Sequence, residues 1–165
     1  MATVEIKGLQ SVINRLNSLG KSIDTVADNS LHKSAYDIKR EVEKNIQTVT
    51  AAYNGHTYKA TDTGRLFRSI HVEKLGMCRY AIGTNVEYAP MVEYGTGSAG
   101  DPSVPHTAKV KWVYFNPTVG EFRTAYPQPP RPYMRPAFET KRSVVTMNMS
   151  RDLLRAAIES TGGTV

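Results

Sequence analysis

The chain has 165 residues, of which 40% are hydrophobic and 22% are charged, values that favour a folded globular protein over a disordered one. Its formal net charge is +6 and its isoelectric point is about 9.5. Residues 1–50 carry seven Lys and Arg against six Asp and Glu, whereas residues 51–165 carry fourteen against nine. The later part of the chain therefore holds most of the positive charge, and it is the part that could face a polyanion such as DNA.

Several protein classes are disfavoured by composition. Cys78 is the single cysteine, so no intrachain disulfide can form, which fits folding in a reducing cytosol. The first residues lack the apolar segment of a signal peptide, and no window approaches the roughly 18 apolar residues of a membrane span. We expect a soluble protein with no membrane role. The histidines show no metal-ligand spacing, so neither a metal nor a cofactor is expected; they are His32, His56, His71 and His106.

Helical periodicity dominates the first 50 residues. Apolar residues recur at steps of three and four over 9–26 and again over 31–49, where the opposite face is charged. Gly20 is expected to separate a short helix from a longer one, and Ser30 or Asn29 is expected to cap the second. The second apolar stripe consists of Leu31, Ala35, Ile38, Val42, Ile46 and Val49.

The period then changes towards strands. Residues 51–64 lose the helical periodicity and predict a long loop. Alternation over 69–75 and 79–84 predicts two strands of a hairpin, and further strands are predicted at 109–115 and 120–125.

Between and after the predicted strands, the sequence indicates short irregular segments and a final helix. One helical turn is expected at 88–94, ended by Gly95, with a loop over 95–108. The proline-rich stretch 126–132 is expected to be extended. It leads into a last helix with Pro136 in its first turn, where a missing N–H costs nothing. Phe138 begins the predicted buried face of that helix.

The order of helices, strands and a final helix predicts an α+β fold, a small and mainly antiparallel sheet packed by a long amphipathic helix and a C-terminal helix. No repeat and no long linker divides the chain. We expect one domain over residues 1–160 and a flexible tail over residues 161–165.

Two short motifs suggest chemistry that their surroundings do not support. Residues 95–100 match GxGxxG, but Asp101 and Pro102 follow where a nucleotide-binding loop needs a helix. Asp62-Thr63-Gly64 matches the aspartic protease signature. That chemistry needs two carboxylates that share one proton in a buried apolar setting, and no apolar strand flanks this motif. A short helix capped by Asp62 or Thr63 is the expected structure there. No catalytic residues are assigned.

Three longer segments carry a family resemblance. They are DTGRLFRSI at 62–70, IGTNVEYAPMVEYGTG at 82–97 and QPPRPYMRPAF at 128–138. Together they resemble the gene-product-ten-like family of tailed bacteriophages, small neck or tail-completion proteins. The resemblance covers about residues 5–160, because the flanking amphipathic helices also fit.

The resemblance implies a structural virion protein with no enzymatic activity. It implies an oligomeric ring, expected to be hexameric, in the neck that joins the head connector to the tail. Its neighbours would be connector or stopper proteins and tail tube or terminator proteins, with double-stranded DNA passing through the lumen without sequence specificity. The protein would reside in the virion, and in the host cytoplasm during assembly.

Candidate site residues follow from that expectation. Arg131 and Arg135 could pair with a carboxylate of the same or a neighbouring subunit, with Glu87 and Glu93 as expected partners. The candidate subunit or partner interface comprises Tyr88, Pro90, Tyr94, Gly95, Gly97, Pro130, Arg131, Pro132, Tyr133 and Arg135. The candidate basic residues of the DNA channel are Arg65, Arg68, Lys109, Lys111 and Arg123.

Two other classes stay open. A nucleic-acid-binding module would explain the basic second part of the chain and its interleaved tyrosines, and it predicts tight, salt-dependent binding by the monomer. A small phage protease would use Asp62, with the second carboxylate supplied by a dimer.

Overall fold

The structure is a computed structural model that describes residues 9–61, 63–116 and 119–160. Its first element is one continuous helix, α1 (Leu9–Thr48). The predicted break at Gly20 is therefore wrong, since a helix interior tolerates a glycine at a cost of about 1 kcal/mol. The first apolar stripe falls mostly on residues 9–18, whose side chains lie outside the described set. The second stripe is confirmed, with Val42 and Ile46 fully buried.

A second long helix, α4 (Met134–Ser160), packs against α1. Ser30 lies inside α1 and is buried, and its hydroxyl donates a 3.0 Å hydrogen bond to Asp152 of α4. The prediction that Ser30 or Asn29 caps a helix is wrong, because both residues lie in the interior of α1. Pro136 occupies the first turn of α4, as predicted.

The core-facing side of α4 differs from the prediction only at the start of the helix. Ala137 is fully buried, whereas Phe138 is 43% exposed. Further along the helix Ala156 is buried, as predicted.

A hairpin occupies most of the segment predicted as a long loop. Strand β1 (Thr50–Tyr53) pairs antiparallel with β2 (His56–Lys59). Asn54 and Gly55 connect them with φ values of 49° and 78°. Positive φ at both central positions is the requirement of the tight turn that matches the twist of a hairpin, and Asn-Gly is its preferred sequence. The loop prediction over 51–64 is therefore wrong for its first nine residues.

The predicted hairpin after the short helix α2 (Arg65–Ser69) is confirmed. Strand β3 (His71–Gly76) pairs antiparallel with β4 (Arg79–Gly83). Asp28 of α1 fastens this hairpin by accepting hydrogen bonds from the Cys78 backbone N–H at 2.9 Å and the Tyr80 hydroxyl at 3.2 Å. A hydrogen bond from the Lys74 ammonium is the main reason that the pKa of Asp28 is lowered.

The third hairpin joins β5 (Trp112–Asn116) to β6 (Glu121–Ala125). Both strands lie close to the predicted positions, but β5 begins three residues later than the predicted strand over 109–115. Before it lie the short helix α3 (Ala89–Tyr94) and a single 3-10 turn at Gly97–Ala99. The α+β class is confirmed, and the strand pairs within the described residues are all antiparallel. In the part of the chain that the structure describes, the strands form three two-stranded sheets where the prediction had one small sheet. Across the described helices, none is long and apolar enough to cross a bilayer.

The hydrophobic core lies where α1, α2, α3 and the start of α4 meet. Each of these elements contributes a side chain that is at most 7% exposed: Val42, Ile46, Leu66, Val92, Tyr133 and Ala137. The division into one domain over 1–160 stays a prediction, and the predicted tail over 161–165 lies outside the described residues.

Candidate assembly site where residues 92–101 meet residues 127–135

Backbone hydrogen bonds join two segments that are more than 30 residues apart in sequence. Thr96 and Gln128 form an isolated antiparallel bridge, with N–H to O distances of 2.8 and 3.2 Å. The Arg131 N–H donates to the Val92 carbonyl oxygen at 2.8 Å. The extended proline-rich segment is thereby held against the C-terminal end of α3, and it delivers the chain to the start of α4.

Two glycines permit this close backbone approach. Gly95 has φ 73° and ψ −175°, a conformation essentially restricted to glycine. A Cβ at Gly95 would lie 2.6 Å from the Gln128 carbonyl oxygen, and one at Gly97 would lie 2.6 Å from that of Lys109. The first two glycines of the GxGxxG match therefore permit packing against the chain's own backbone.

Glu93 caps the N-terminus of α4 from a distance of about 40 residues in sequence. Its carboxylate is buried, and Oε2 accepts from the backbone N–H groups of Tyr133 at 2.8 Å and Met134 at 2.9 Å. Oε1 accepts from the Arg135 N–H at 3.0 Å. The first N–H groups of a helix have no partner within the helix, and a negative charge there also interacts favourably with the helix dipole.

Arg131 is an almost completely buried cation, with 3% exposure. Its Nη2 donates to the Gln128 side-chain oxygen at 2.9 Å, and its guanidinium carbon lies 5.7 Å from the centre of the Tyr58 ring. Its Nε is buried without a hydrogen-bond partner among the described residues. Burial lowers the pKa of this guanidinium. Contact with an aromatic face offsets part of the cost of burying the charge.

Arg135 pairs with Asp101 at 2.8 Å and lies over the Tyr94 ring at 5.6 Å. The expectation that Glu87 or Glu93 is its carboxylate partner is therefore wrong within the subunit. Glu93 was placed correctly near Arg135, but its oxygens accept from backbone N–H groups because it faces the end of the helix.

The Asp101–Arg135 pair gives a test by pH. Hydrogen bonds, first from Arg135 and then from Ser103, lower the pKa of Asp101. A lowered folded-state pKa means that the pair stabilises the fold above about pH 4 and that this contribution is lost as the pH falls further. In Arg135→Ala, NMR titration of the Asp101 side-chain carboxyl should show a higher pKa. An unchanged pKa in the variant would contradict the pairing.

The predicted interface residues fall into three levels of exposure. Gly95, Gly97, Arg131 and Tyr133 are buried within the subunit, where burial is also the first cause of the raised pKa of Tyr133. The partly exposed residues are Tyr94, Pro130 and Pro132. The exposed residues are Tyr88, Pro90 and Arg135. The outer members are thus the ones that a neighbouring protein can touch directly, while the buried members fix their positions.

The five predicted DNA-channel cations are all exposed: Arg65, Arg68, Lys109, Lys111 and Arg123. Arg68 donates to the Thr63 carbonyl oxygen at 3.1 Å. No carboxylate among the described residues forms an ion pair with any of the five. Asp62, on which the protease alternative depends, lies outside the described residues.

The predicted cap of α2 is only partly supported. The N-cap position is Gly64 with φ 73°, and no side chain bonds the helix there. The Thr63 hydroxyl oxygen accepts from the Arg65 N–H at 3.4 Å, a long contact.

One exposed surface was not selected from the sequence. It is one face of the β5–β6 hairpin, where Val113, Phe115 and Phe122 are 65%, 52% and 75% exposed. The signal was present, since Val113 and Phe115 alternate with other residues in a predicted strand and Phe122 lies in the next. These residues were predicted only as parts of two strands, with no surface role, and the structure leaves their side chains uncovered.

Comparison with known proteins gives a family. Residues 10–95, slightly more than half of the chain, match the HK97-gp10-like family, described as "Bacteriophage HK97-gp10, putative tail-component". No curated protein and no solved structure matched the chain. The matched range includes α1, the first two hairpins and α3, and it ends at Gly95. The chain therefore belongs to the HK97-gp10-like family of bacteriophage tail components, and it has a structural role in the tail or neck of a phage particle.

Proposed function

We propose that the protein assembles into a closed homo-oligomeric ring, hexameric in order, in the neck of the virion. The ring joins the head connector to the tail, and DNA passes through its lumen. It binds connector or stopper proteins on one side and tail tube or terminator proteins on the other. It has no enzymatic activity and needs no cofactor. It resides in the virion, after assembly in the host cytoplasm.

The observation that carries the proposal is the exposed β5–β6 hairpin. Both of its strands are largely exposed, and an isolated two-stranded hairpin is marginally stable in water. Three large apolar side chains on one face are uncovered. Exposed apolar clusters of this kind mark protein interaction sites. A subunit built for assembly explains why the chain keeps such a hairpin.

Positive charge supports the passage of DNA. The five exposed cations named above attract phosphate without contacts to bases, which suits a lumen through which DNA of any sequence moves. The proposal requires that they face the lumen together once the ring is closed. Moderate attraction is sufficient, because tight binding would slow DNA ejection.

The same exposed cations favour one second candidate, a nucleic-acid-binding module. The two functions differ in what the isolated monomer does. A module binds duplex DNA tightly as a monomer, and its affinity falls steeply with salt. A ring subunit binds DNA weakly before assembly, because its cations converge only in the ring.

A sizing column with light scattering, followed by negative-stain imaging, tests the ring. The purified full chain should elute above its 18.3 kDa monomer mass and show closed rings with a central hole. Fluorescence anisotropy with a short duplex should detect weak binding by any monomer fraction. A chain that is monomeric at all concentrations and binds duplex tightly at low salt would favour the nucleic-acid module.

A further inference from the structure

One face of the β5–β6 hairpin is apolar, and the other carries a mixture of aromatic and polar side chains. Its register places Phe115 opposite Phe122 and Val113 opposite Thr124 on the same face. The two phenyl rings form an edge-to-face pair with centroids 5.4 Å apart. The other face carries Tyr114 opposite Arg123. The hairpin therefore presents a preformed pair of aromatic rings to one side.

A cavity at the base of the same hairpin has aromatic walls. Its volume is about 360 Å³, and its lining includes Tyr53, His56, Tyr58, Ser98, Tyr126 and Pro127. The buried Arg131 guanidinium lies over the Tyr58 ring and helps to hold that wall in place. A cavity of roughly 150 Å³ accommodates a benzene ring. The space at the hairpin base is therefore sufficient for two phenyl rings.

The hairpin cannot fill the cavity of its own chain. Tyr126, which lines the cavity, directly follows the last residue of β6. Phe122 lies four residues earlier in the same extended strand, a distance of roughly 13 Å at about 3.3 Å per residue. The extended strand therefore holds the two phenyl rings at a distance from the cavity of the same chain. An occupant with these rings has to come from another molecule.

We propose that the Phe115–Phe122 pair of one copy inserts into the Tyr53–Tyr58–Tyr126 cavity of the next copy. This contact deepens the proposed function, because it rests on ring assembly and names the surfaces that close the ring. Each copy supplies one projecting pair and one cavity, so the contact is heterologous and propagates from subunit to subunit. Tyrosines around an aromatic anchor are typical of interface hot spots, since each combines a large apolar body with a polar tip.

The test uses two full-length variants and one matched control. Phe115→Ser with Phe122→Ser removes the projecting pair. Ser98→Trp fills the cavity at an exposed lining position. Tyr114→Ser changes an aromatic residue on the opposite face of the same hairpin and serves as the control. Circular dichroism and urea unfolding establish that each variant is folded, since all of these side chains are exposed.

Analytical ultracentrifugation then measures self-association. The double serine variant and Ser98→Trp should each associate at least ~100-fold more weakly than wild type, because anchor residues dominate interface affinity. Tyr114→Ser should assemble like wild type. A one-to-one mixture of the two defective variants should form a dimer and nothing larger, because only one functional pair and one functional cavity remain.

Two outcomes would overturn the contact. If the folded double serine variant still forms rings, the proposed contact is wrong but the proposed ring is not. If those rings also fail to join heads to tails in infected cells, the hairpin docks on another phage protein. A wild-type chain that forms no oligomer would contradict both the contact and the proposed function.

Discussion

Gly95→Ala is expected to destabilise the subunit by about 3 kcal/mol or more, a large part of the 5–15 kcal/mol that holds a typical domain folded. The backbone at Gly95, with φ 73° and ψ −175°, costs a non-glycine residue about 1–3 kcal/mol. In addition, the new methyl group would meet the backbone of Gln128 at 2.6 Å and of Pro130 at 2.8 Å. Relief would require the proline-rich segment to separate from α3. Urea unfolding followed by far-ultraviolet circular dichroism measures the loss.

Gly20→Ala is the matched control for that measurement. Gly20 lies inside α1, and a Cβ there would meet nothing within 4 Å. The same substitution should therefore stabilise the protein, by up to about 1 kcal/mol, because alanine favours the helix over the unfolded chain. Equal midpoints for Gly95→Ala and wild type would show that the approach of residues 95–97 to residues 127–130 is wrongly described.

Glu93→Ala is expected to cost about 3 kcal/mol. The substitution leaves the backbone N–H groups of Tyr133, Met134 and Arg135 without their acceptor, in a buried setting. A buried donor without a partner costs roughly 1–3 kcal/mol, and loss of a helix cap typically costs about 1 kcal/mol. Thermal and urea unfolding measure the effect, which should exceed that of Glu93→Gln because glutamine keeps one acceptor oxygen.

Glu87→Ala provides the control, since Glu87 is an exposed glutamate six residues before Glu93. A surface substitution away from packing and capping contacts usually changes stability by less than about 0.5 kcal/mol. If Glu87→Ala and Glu93→Ala unfold at the same urea concentration, Glu93 does not cap α4. The contrast therefore separates the capping role from a general effect of removing a negative charge.

Elements defined by local periodicity could be predicted from the sequence. The Val42–Ile46 face of α1, the β3–β4 hairpin and the α3 turn ended by Gly95 all follow from residue spacing and from glycine placement. Proline at position 136 also marked the first turn of α4. In each case the decisive interactions lie within a few residues of one another.

The β1–β2 hairpin was missed although its signal is local. Asn54-Gly55 is a strong hairpin turn sequence, but each flanking strand has only four residues and neither has a buried side chain. Weak alternation in those strands hid the turn between them. The predicted break at Gly20 is wrong for the opposite reason, since there a local signal is overridden. One glycine destabilises a helix only slightly, and packing along the rest of α1 keeps the helix continuous.

The central features of the candidate site depend on contacts that no local pattern contains. Glu93 meets the start of α4 at a separation of about 40 residues, and Arg135 finds Asp101 rather than Glu93. Arg131 was selected from its place between prolines, but its burial against Tyr58 requires the unpredicted β1–β2 hairpin. The sequence identified the right segments, and the fold determined which atoms within them interact.

The buried contacts and the exposed surfaces have complementary roles in the proposed ring. Glu93, Gly95 and Arg131 fix the path of the chain between α3 and α4. The same path positions Pro127, which lines the cavity at the base of the β5–β6 hairpin. Substitutions in the buried set should therefore lower subunit stability, whereas substitutions on the hairpin face should lower assembly in a subunit that remains folded.

The most direct measurement of the central claim is a cryo-electron microscopy reconstruction of the head–tail junction in the intact virion. We expect a closed ring of copies of this chain between connector and tail, with the exposed cations facing the central channel. Without the chain, unjoined heads and tails should accumulate. A reconstruction in which this chain is absent from the junction, or is present there as a single copy, would contradict the proposed ring.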